Sequence, residues 1–216
     1  MQERHDDESR RALSFFDDLY HGYTGEYQLV SALYRNDLDA VRPPADMGID
    51  VVSLNLKAQL ENPATPPETL FFQVKTRLAD FDDDRRFATV KIELKDNEIE
   101  LICEDKKRAL VCYVYTHDNE APISAYEAPF CCFWIDGERL GAIRRNGGLF
   151  KPEGEAKHAM LCRLTQSAVG SGNWYIAVIN ESYQQVDEGY LGTADMPASD
   201  NADHYSIRGF LEYVRR

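Results

Sequence analysis

The sequence contains no long apolar run, and that absence excludes an integral membrane protein built on helices. No uninterrupted apolar stretch approaches the ~20 residues that a spanning helix needs. The segment Met1-Gln2-Glu3-Arg4-His5-Asp6-Asp7-Glu8 is too acidic for a signal peptide. We therefore expect a cytoplasmic protein with no membrane partner. Its 216 residues, 44% of them hydrophobic, are enough to bury a substantial core.

Cysteine is sparse, and its spacing argues against zinc. The five cysteines are an odd number, and most lie in apolar β-prone runs, so we expect reduced core residues. Neither the adjacent cysteine pair nor any spacing to His117 or His158 matches a zinc pattern. The five are Cys103, Cys112, Cys131, Cys132 and Cys162.

Two common catalytic signatures are also missing. No Gly-x-Ser-x-Gly elbow is present, which disfavours a serine hydrolase. Gly170-Ser171-Gly172 is not followed by Gly-Lys-Ser/Thr, so a phosphate-binding P-loop is not indicated.

Positive charge is scarce. The formal net charge of −13 opposes nucleic-acid binding, which relies on Lys and Arg to displace counterions from phosphates. Basic residues nevertheless form local clusters that could contact a nucleic-acid backbone or equally be solvated turns. The clusters are Arg85-Arg86, Lys106-Lys107-Arg108 and Arg144-Arg145.

An acidic residue, Glu26, lies on a predicted helix. Its separations from Leu29, Val30 and Leu33 place its carboxylate on the apolar stripe of that helix. A carboxylate on an inward face is costly unless a cation or donor meets it. Glu26 is therefore either a site residue or a carboxylate favoured by the helix dipole.

Further polar residues are associated with two predicted strands. Asp50 follows the Gly48 bend and leads into the β-prone run after it. In the strand around Gln73-Val74-Lys75, alternation places Gln73 and Lys75 on one face. Taken singly, Asp50 could be a turn residue and Lys75 a solvated lysine on an edge strand.

Together these groups would form a hard oxygen site that suits Mg²⁺ or Mn²⁺ better than zinc. Asp50 would be the central ligand, with the side chain of Gln73 and the backbone carbonyl of Val74 nearby. Glu26 would bind the metal directly or through water. Lys75 would orient or activate the attacking water, or neutralise charge on a phosphate. The implied reaction is phosphodiester hydrolysis, with Glu26, Asp50, Gln73 and Lys75 as the catalytic set.

At these positions the chain resembles the PD-(D/E)xK nuclease superfamily, which includes restriction endonucleases and Holliday-junction resolvases, over roughly residues 20–118. The resemblance implies an α/β fold with a restriction-endonuclease-like αβββαβ core and a mixed central sheet flanked by helices. The chain departs from the family at Gln73, where Glu or Asp is more usual, so the motif is QxK. The separation of 23 residues between Asp50 and Gln73 is also long, and the proline-rich stretch 62–67 predicts an enlarged hairpin connection.

The predicted organisation is a nuclease-like domain over residues 1–146 and a C-terminal α+β extension over residues 147–216. A helix is expected over residues 8–20, another from Asp96 or Asn97 to Lys107, and a terminal helix over residues 205–216. A hairpin turn at Lys95-Asp96-Asn97 is the alternative to the middle helix. The remaining predicted strands are 87–94, 109–115, 130–135 and 174–179.

The leading functional hypothesis is a Mg²⁺-dependent DNA endonuclease in restriction or mobile-element defence. One alternative is a nuclease fold that has lost catalysis and acts as a binding or assembly module, which Gln73 and the acidic composition favour. Another is an RNA nuclease using the same site. A homodimer, or a protein partner bound through residues 147–216, is left open.

Overall fold

The computed structural model describes most of the chain between residues 22 and 192. The structure describes residues 22–44, 48–81, 87–116, 131–166 and 174–192, together with positions 210, 211 and 214. Their helices are α1 (residues 22–35), α2 (Leu56–Glu61), α3 (Asp96–Glu104) and α4 (Gly137–Arg145). Their strands are β1 (Asp39–Val41), β2 (Val51–Leu54), β3 (Thr69–Phe81), β4 (Phe87–Leu94), β5 (Arg108–Thr116), β6 (Cys131–Asp136), β7 (Leu149–Phe150), β8 (His158–Gln166), β9 (Trp174–Ile179) and β10 (Gln185–Gly192). None of the helices described is long and apolar enough to cross a membrane.

The long strand β3 joins two portions of the sheet. Its first residues pair antiparallel with β2, and its residues 71–79 run parallel to β5. Its last residues, Asp80 and Phe81, pair with β4 instead. The first portion therefore has the order β1-β2-β3-β5-β6, and the second has the order β4-β8-β9-β10 with β7 on β8. Parallel strands cannot be joined by a tight turn and need a crossover connection. Between β3 and β5 that connection contains β4 and α3.

Strand β5 is buried on both faces. Ala109, Val111 and Tyr113 belong to one apolar cluster with Leu29 and Leu33 of α1. The intervening side chains belong to a second cluster with α3, α4 and the β4-β8-β9 portion of the sheet. A strand covered on both faces has apolar residues in succession rather than alternating ones. The predicted buried strand over residues 109–115 is confirmed.

The predicted α/β class is confirmed, with a mixed sheet flanked by helices. Apart from the short elements β1 and α2, the succession α1-β2-β3-β4-α3-β5 matches the expected αβββαβ order and is consistent with a restriction-endonuclease-like fold. The helix preferred over a hairpin turn at residues 95–97 is present as α3, and it ends at Glu104 rather than Lys107. The strands predicted at 87–94, 130–135 and 174–179 correspond to β4, β6 and β9.

The remaining predicted elements are confirmed in part. Residues 62–67 lie in the connection of the antiparallel pair β2-β3, as expected, but that connection also contains the unpredicted α2. The helix expected over residues 8–20 lies outside the described residues. Positions 210, 211 and 214 of the expected terminal helix are helical, and Phe210 packs on Phe72 and Trp134 with ring centroids 5.6 and 6.0 Å away.

Residues beyond 146 continue the sheet. β8 pairs with β4 from Phe87↔Thr165 to Leu94↔His158, and Met160 shares its apolar cluster with Ile92. The division into a domain over residues 1–146 and an extension over 147–216 stays a prediction about organisation. What the structure shows is that the described part of the second segment packs on the first in both apolar clusters, with Met160 in one and Phe210 in the other.

Candidate functional site

The Asp50 carboxylate is held against β3 by two hydrogen bonds. Gly48 has a φ of +73°, a left-handed conformation that glycine adopts without strain, and the chain then turns into β2. The backbone N–H of Asp50 donates to the carbonyl of Phe72 at 2.9 Å. Its Oδ2 accepts from the backbone N–H of Val74 at 2.7 Å and from Nε2 of Gln73 at 2.5 Å. Two predicted site residues that are 23 positions apart are thereby in direct contact.

The alternation predicted for β3 is present. Phe72 and Val74 belong to the apolar cluster beneath α1, while Gln73 and Lys75 line a cleft on the opposite face. Gln73 is buried, and among the residues that the structure describes its Oε1 has no hydrogen-bond partner. A buried amide oxygen without a partner carries a desolvation cost that a ligand at this point would relieve.

Lys75 forms an ion pair that the sequence reading missed. Its ammonium donates to Oε1 of Glu98 on α3 at 2.9 Å, and the side chains are only 16% and 6% exposed. Oε2 of Glu98 accepts from the backbone N–H of Lys95 at 2.8 Å and so caps the first turn of α3. One carboxylate thus fixes both the start of the helix and the position of the lysine. The signal in the sequence is a Glu three residues after a helix start, the spacing of a capping box.

Glu26 lies at the edge of the same cleft, and a cation meets it. Its carboxylate pairs with the guanidinium of Arg42. The guanidinium also lies 4.5 and 5.0 Å from the ring centroids of Tyr23 and Tyr27. The cost of an acid on the α1 stripe is therefore offset within the chain. Glu26 is near Asp50 as predicted, but its charge is balanced by an arginine.

Close packing holds α1 beside the site strand. A Cβ atom on Gly25 would lie 2.2 Å from Oγ1 of Thr76 and 3.2 Å from a methyl of Val74. Only a residue without a side chain allows this approach. This close approach of α1 to β3 brings the next residue, Glu26, to the mouth of the cleft.

The cleft encloses about 280 Å³ and contains equal numbers of acidic and basic side chains in a chain whose net charge is −13. Electrostatic repulsion of an anionic ligand is therefore weaker here than over the protein as a whole. The acidic side chains are Glu26, Asp50, Glu93 and Glu98, and the basic ones are Lys75, Arg77, Lys95 and Lys157.

The far wall of the cleft is charged as well. Glu93 contacts the ammonium of Lys91 at 2.9 Å and that of Lys157 at 3.6 Å. The hydrogen bond from Lys91 is the main cause that holds the pKa of Glu93 below its usual value, against the opposing effect of burial. Arg77 also lowers this pKa, and its Nε donates to the carbonyl of Lys91 at 3.1 Å. Glu93 is therefore ionised at neutral pH, with cations around it.

The cysteines behave as core residues. All five are free thiols, and Cys112, Cys131 and Cys162 are buried. Burial raises the pKa of Cys112 to about 12, which makes it a poor nucleophile. Among the described residues, no three His, Cys, Asp or Glu side chains are grouped so that they could hold a metal ion by themselves.

Comparison with known proteins adds little to this geometry. No protein-family model matches the chain, and no curated protein matches it significantly. Among solved structures, the chain is similar to Hjc of Archaeoglobus fulgidus, a Holliday junction resolvase from an archaeal hyperthermophile. The identity is 10%, the TM-score is 0.32, and the match covers 64% of this chain and 82% of that one. A similarity at this level carries no argument about function.

The cations of the cleft differ from the clusters noted in the sequence. Arg85-Arg86 lies outside the described residues, and neither Lys106-Lys107-Arg108 nor Arg144-Arg145 lines the cleft. The basic cleft residues come singly from separate elements, so no local run marks them.

Proposed function

We propose that the protein is a Mg²⁺- or Mn²⁺-dependent endonuclease that hydrolyses phosphodiester bonds in DNA. The observation that carries the proposal is the Asp50 carboxylate, held by Gln73 and Val74 in a cleft of balanced charge that Lys75 also lines. A fixed carboxylate and a cation in one cleft are what a phosphate-directed site needs, because the metal and the ammonium both act on the phosphate charge. Restriction or mobile-element defence in the cytoplasm is the setting we infer.

The donor atoms fit a magnesium ion. Mg²⁺ usually keeps several waters and is bound through one or two carboxylates together with substrate phosphates, so it does not need a cluster of three acidic residues. Asp50 supplies a carboxylate, and the buried Oε1 of Gln73 is a neutral oxygen without a partner. Glu26 and the carbonyl of Val74 complete the proposed set. The bound metal would polarise a phosphoryl oxygen and lower the pKa of a coordinated water.

The residues of the chain have distinct roles in this proposal. In hydrolysis the oxygen of water bonds to phosphorus, the bond from phosphorus to the leaving oxygen breaks, and the proton of water passes to the leaving oxygen or to solvent. Lys75 is held by Glu98 as an N–H donor, so it is placed to stabilise charge that develops on the phosphate. Gln73 donates to Asp50 and keeps it oriented, whereas a Glu or Asp at this position would add a second negative charge.

The alternative is a binding module without catalysis. It is favoured because Glu26, Glu93 and Glu98 each form an ion pair, so three of the four acidic groups at the cleft are already neutralised by cations. This reading predicts nucleic-acid or protein binding with little dependence on Mg²⁺. RNA cleavage by the same site is separated from DNA cleavage by direct substrate competition.

The test is cleavage of plasmid and single-stranded DNA with Mg²⁺ or Mn²⁺, beside EDTA and Asp50→Ala. We expect metal-dependent nicking that Asp50→Ala lowers by roughly a hundredfold or more. Lys75→Met is expected to act in the same direction. Matched controls are Glu181→Ala and Lys106→Met, exposed positions that do not line the cleft and whose activity should not change. Cleavage by none of the proteins under either metal, or equal cleavage by Asp50→Ala, contradicts the proposal.

A further inference from the structure

One face of the β4-β8-β9 portion of the sheet exposes aromatic and basic side chains. In β4, Ala88 and Val90 point into the core, so Phe87, Thr89 and Lys91 point outward. In β8 the same alternation buries Cys162 and Leu164 and exposes Arg163 and Thr165. The aromatic residues of β5 and β6 take no part in this face, because Tyr113, Tyr115, Phe133 and Trp134 are buried.

The strand register aligns two exposed rings. Phe87 lies opposite Thr165, and Thr165 lies opposite Tyr175 of β9. Phe87 is 42% exposed and Tyr175 is 46% exposed. Because neighbouring strands are about 4.8 Å apart, the two rings stand roughly 10 Å apart with one strand between them. At that separation the two rings do not stack on each other.

Cations accompany the rings. The guanidinium of Arg163 lies 5.9 Å from the ring centroid of Phe87. Across the strands next to the ring row, Arg163 lies opposite Thr89 on one side and Ala177 on the other. Asp80 is the next residue across the strands after Thr89, and Glu188 is the next after Ala177. In this row Arg163 is therefore central, and the two acids are at the borders.

The face is continuous with the cleft. Strand β4 runs from Phe87 to Glu93, which lines the cleft, over about 20 Å. Lys91 lies between them, and Arg77 both lines the cleft and donates to the carbonyl of Lys91. An extended anion could therefore pass from the rings across these cations into the site.

We propose that this face, with Phe87, Tyr175 and Arg163 at its centre, binds an unpaired DNA strand and leads it to the cleft. Exposed rings beside cations bind single strands because each base offers a π-face and each phosphate a charge. Bases within a duplex are already stacked on their neighbours and cannot lie on these rings. The inference rests on the proposed function for its choice of DNA and adds the substrate class, a single-stranded or locally opened region.

Binding is measured by fluorescence anisotropy of a labelled oligothymidine longer than the roughly 4–16 nucleotides that such platforms cover. EDTA is present throughout, so cleavage does not contribute. We expect Phe87→Ala and Tyr175→Ala each to weaken binding by roughly fivefold to a hundredfold, the usual loss for a stacked base. Phe87→Tyr and Tyr175→Phe retain the rings and should bind as the unaltered protein does. Arg163→Gln should lower the slope of log affinity against log salt by about 0.7.

The matched control is Tyr183→Asn. Tyr183 is 69% exposed in the turn between β9 and β10, and asparagine tolerates its φ of +60°. Binding should be unchanged in this variant.

The inference is overturned if both alanine variants bind oligothymidine normally. It is also overturned if duplex DNA or an oligouridine RNA binds at least as tightly with the same dependence on the rings. Binding that depends on the rings, in a protein that cleaves nothing with metal, leaves the inference standing and removes the nuclease proposal. Cleavage that needs Asp50, with binding indifferent to the rings, does the reverse.

Discussion

Removing the Glu98 carboxylate is expected to destabilise the fold strongly. Glu98→Ala leaves the Lys75 ammonium, 16% exposed, without its anion and takes an acceptor from the first turn of α3. Breaking a buried ion pair by removing one partner typically costs about 3–5 kcal/mol. For a chain of this length, each kcal/mol shifts the melting temperature by about 2–4 °C, so 3 kcal/mol corresponds to a decrease of about 6–12 °C.

The assay is urea unfolding of a double-mutant cycle that combines Lys75→Met with Glu98→Gln. Each single change leaves one buried charge unpaired, while the double change removes both, so the double variant should lose at least about 1 kcal/mol less than the sum of the singles. Lys57→Met is the matched control. Its partner Asp37 and Lys57 itself are 76% and 54% exposed, and we expect little change in stability.

Strict additivity in this cycle would refute the reasoning. It would mean that Lys75 and Glu98 do not depend on each other for stability, and the account of how the lysine is held in the cleft would have to be abandoned. A loss for Glu98→Ala as small as that of the exposed control would have the same meaning.

Three other outcomes are expected. Leu33→Ala, which empties a fully buried position on the inner face of α1, should lower the free energy of unfolding by about 2–5 kcal/mol in a denaturant titration. The pKa of Glu93 is lower in the folded protein than the ordinary value of 4.5. Its contribution to stability is therefore complete above pH 4.5 and is lost as the pH falls through the folded pKa. In urea unfolding, the stability of Glu93→Gln should therefore fall less steeply with decreasing pH than that of the unaltered protein. Cys112, whose pKa burial raises to about 12, should resist a thiol-specific reagent in the native protein and react on unfolding, as mass spectrometry would show; rapid native labelling would contradict its burial.

Much of the fold follows from local patterns in the sequence. The continuous apolar run over residues 109–115 and the alternation over 87–94 each predicted a strand. The first is buried on both faces and the second on one, because each pattern reports how many faces of a strand are covered. The short helix α2 was missed for the complementary reason. It has no buried residue, so no apolar periodicity marks it.

Part of the site could be predicted from the sequence. Asp50 and Gln73 were expected to lie near each other in one site, and the structure shows a hydrogen bond between their side chains. The pairs Glu26–Arg42 and Lys75–Glu98 were not, because each joins elements whose distance is set by tertiary packing. The exposure of Phe87 could have been found, since it shares strand parity with Lys91 and Glu93 while the even positions are apolar.

The central claim is that Asp50 serves metal-dependent cleavage of DNA, and the most direct test compares the unaltered protein with Asp50→Asn. Asparagine keeps the size of the side chain and an oxygen that can accept from Gln73 and Val74, so the fold should be retained and circular dichroism would verify it. The account predicts that the unaltered protein nicks plasmid or single-stranded DNA with Mg²⁺ or Mn²⁺, that EDTA stops the reaction, and that Asp50→Asn is inactive although folded. Cleavage at the unaltered rate by folded Asp50→Asn, or cleavage that persists in EDTA, would contradict it.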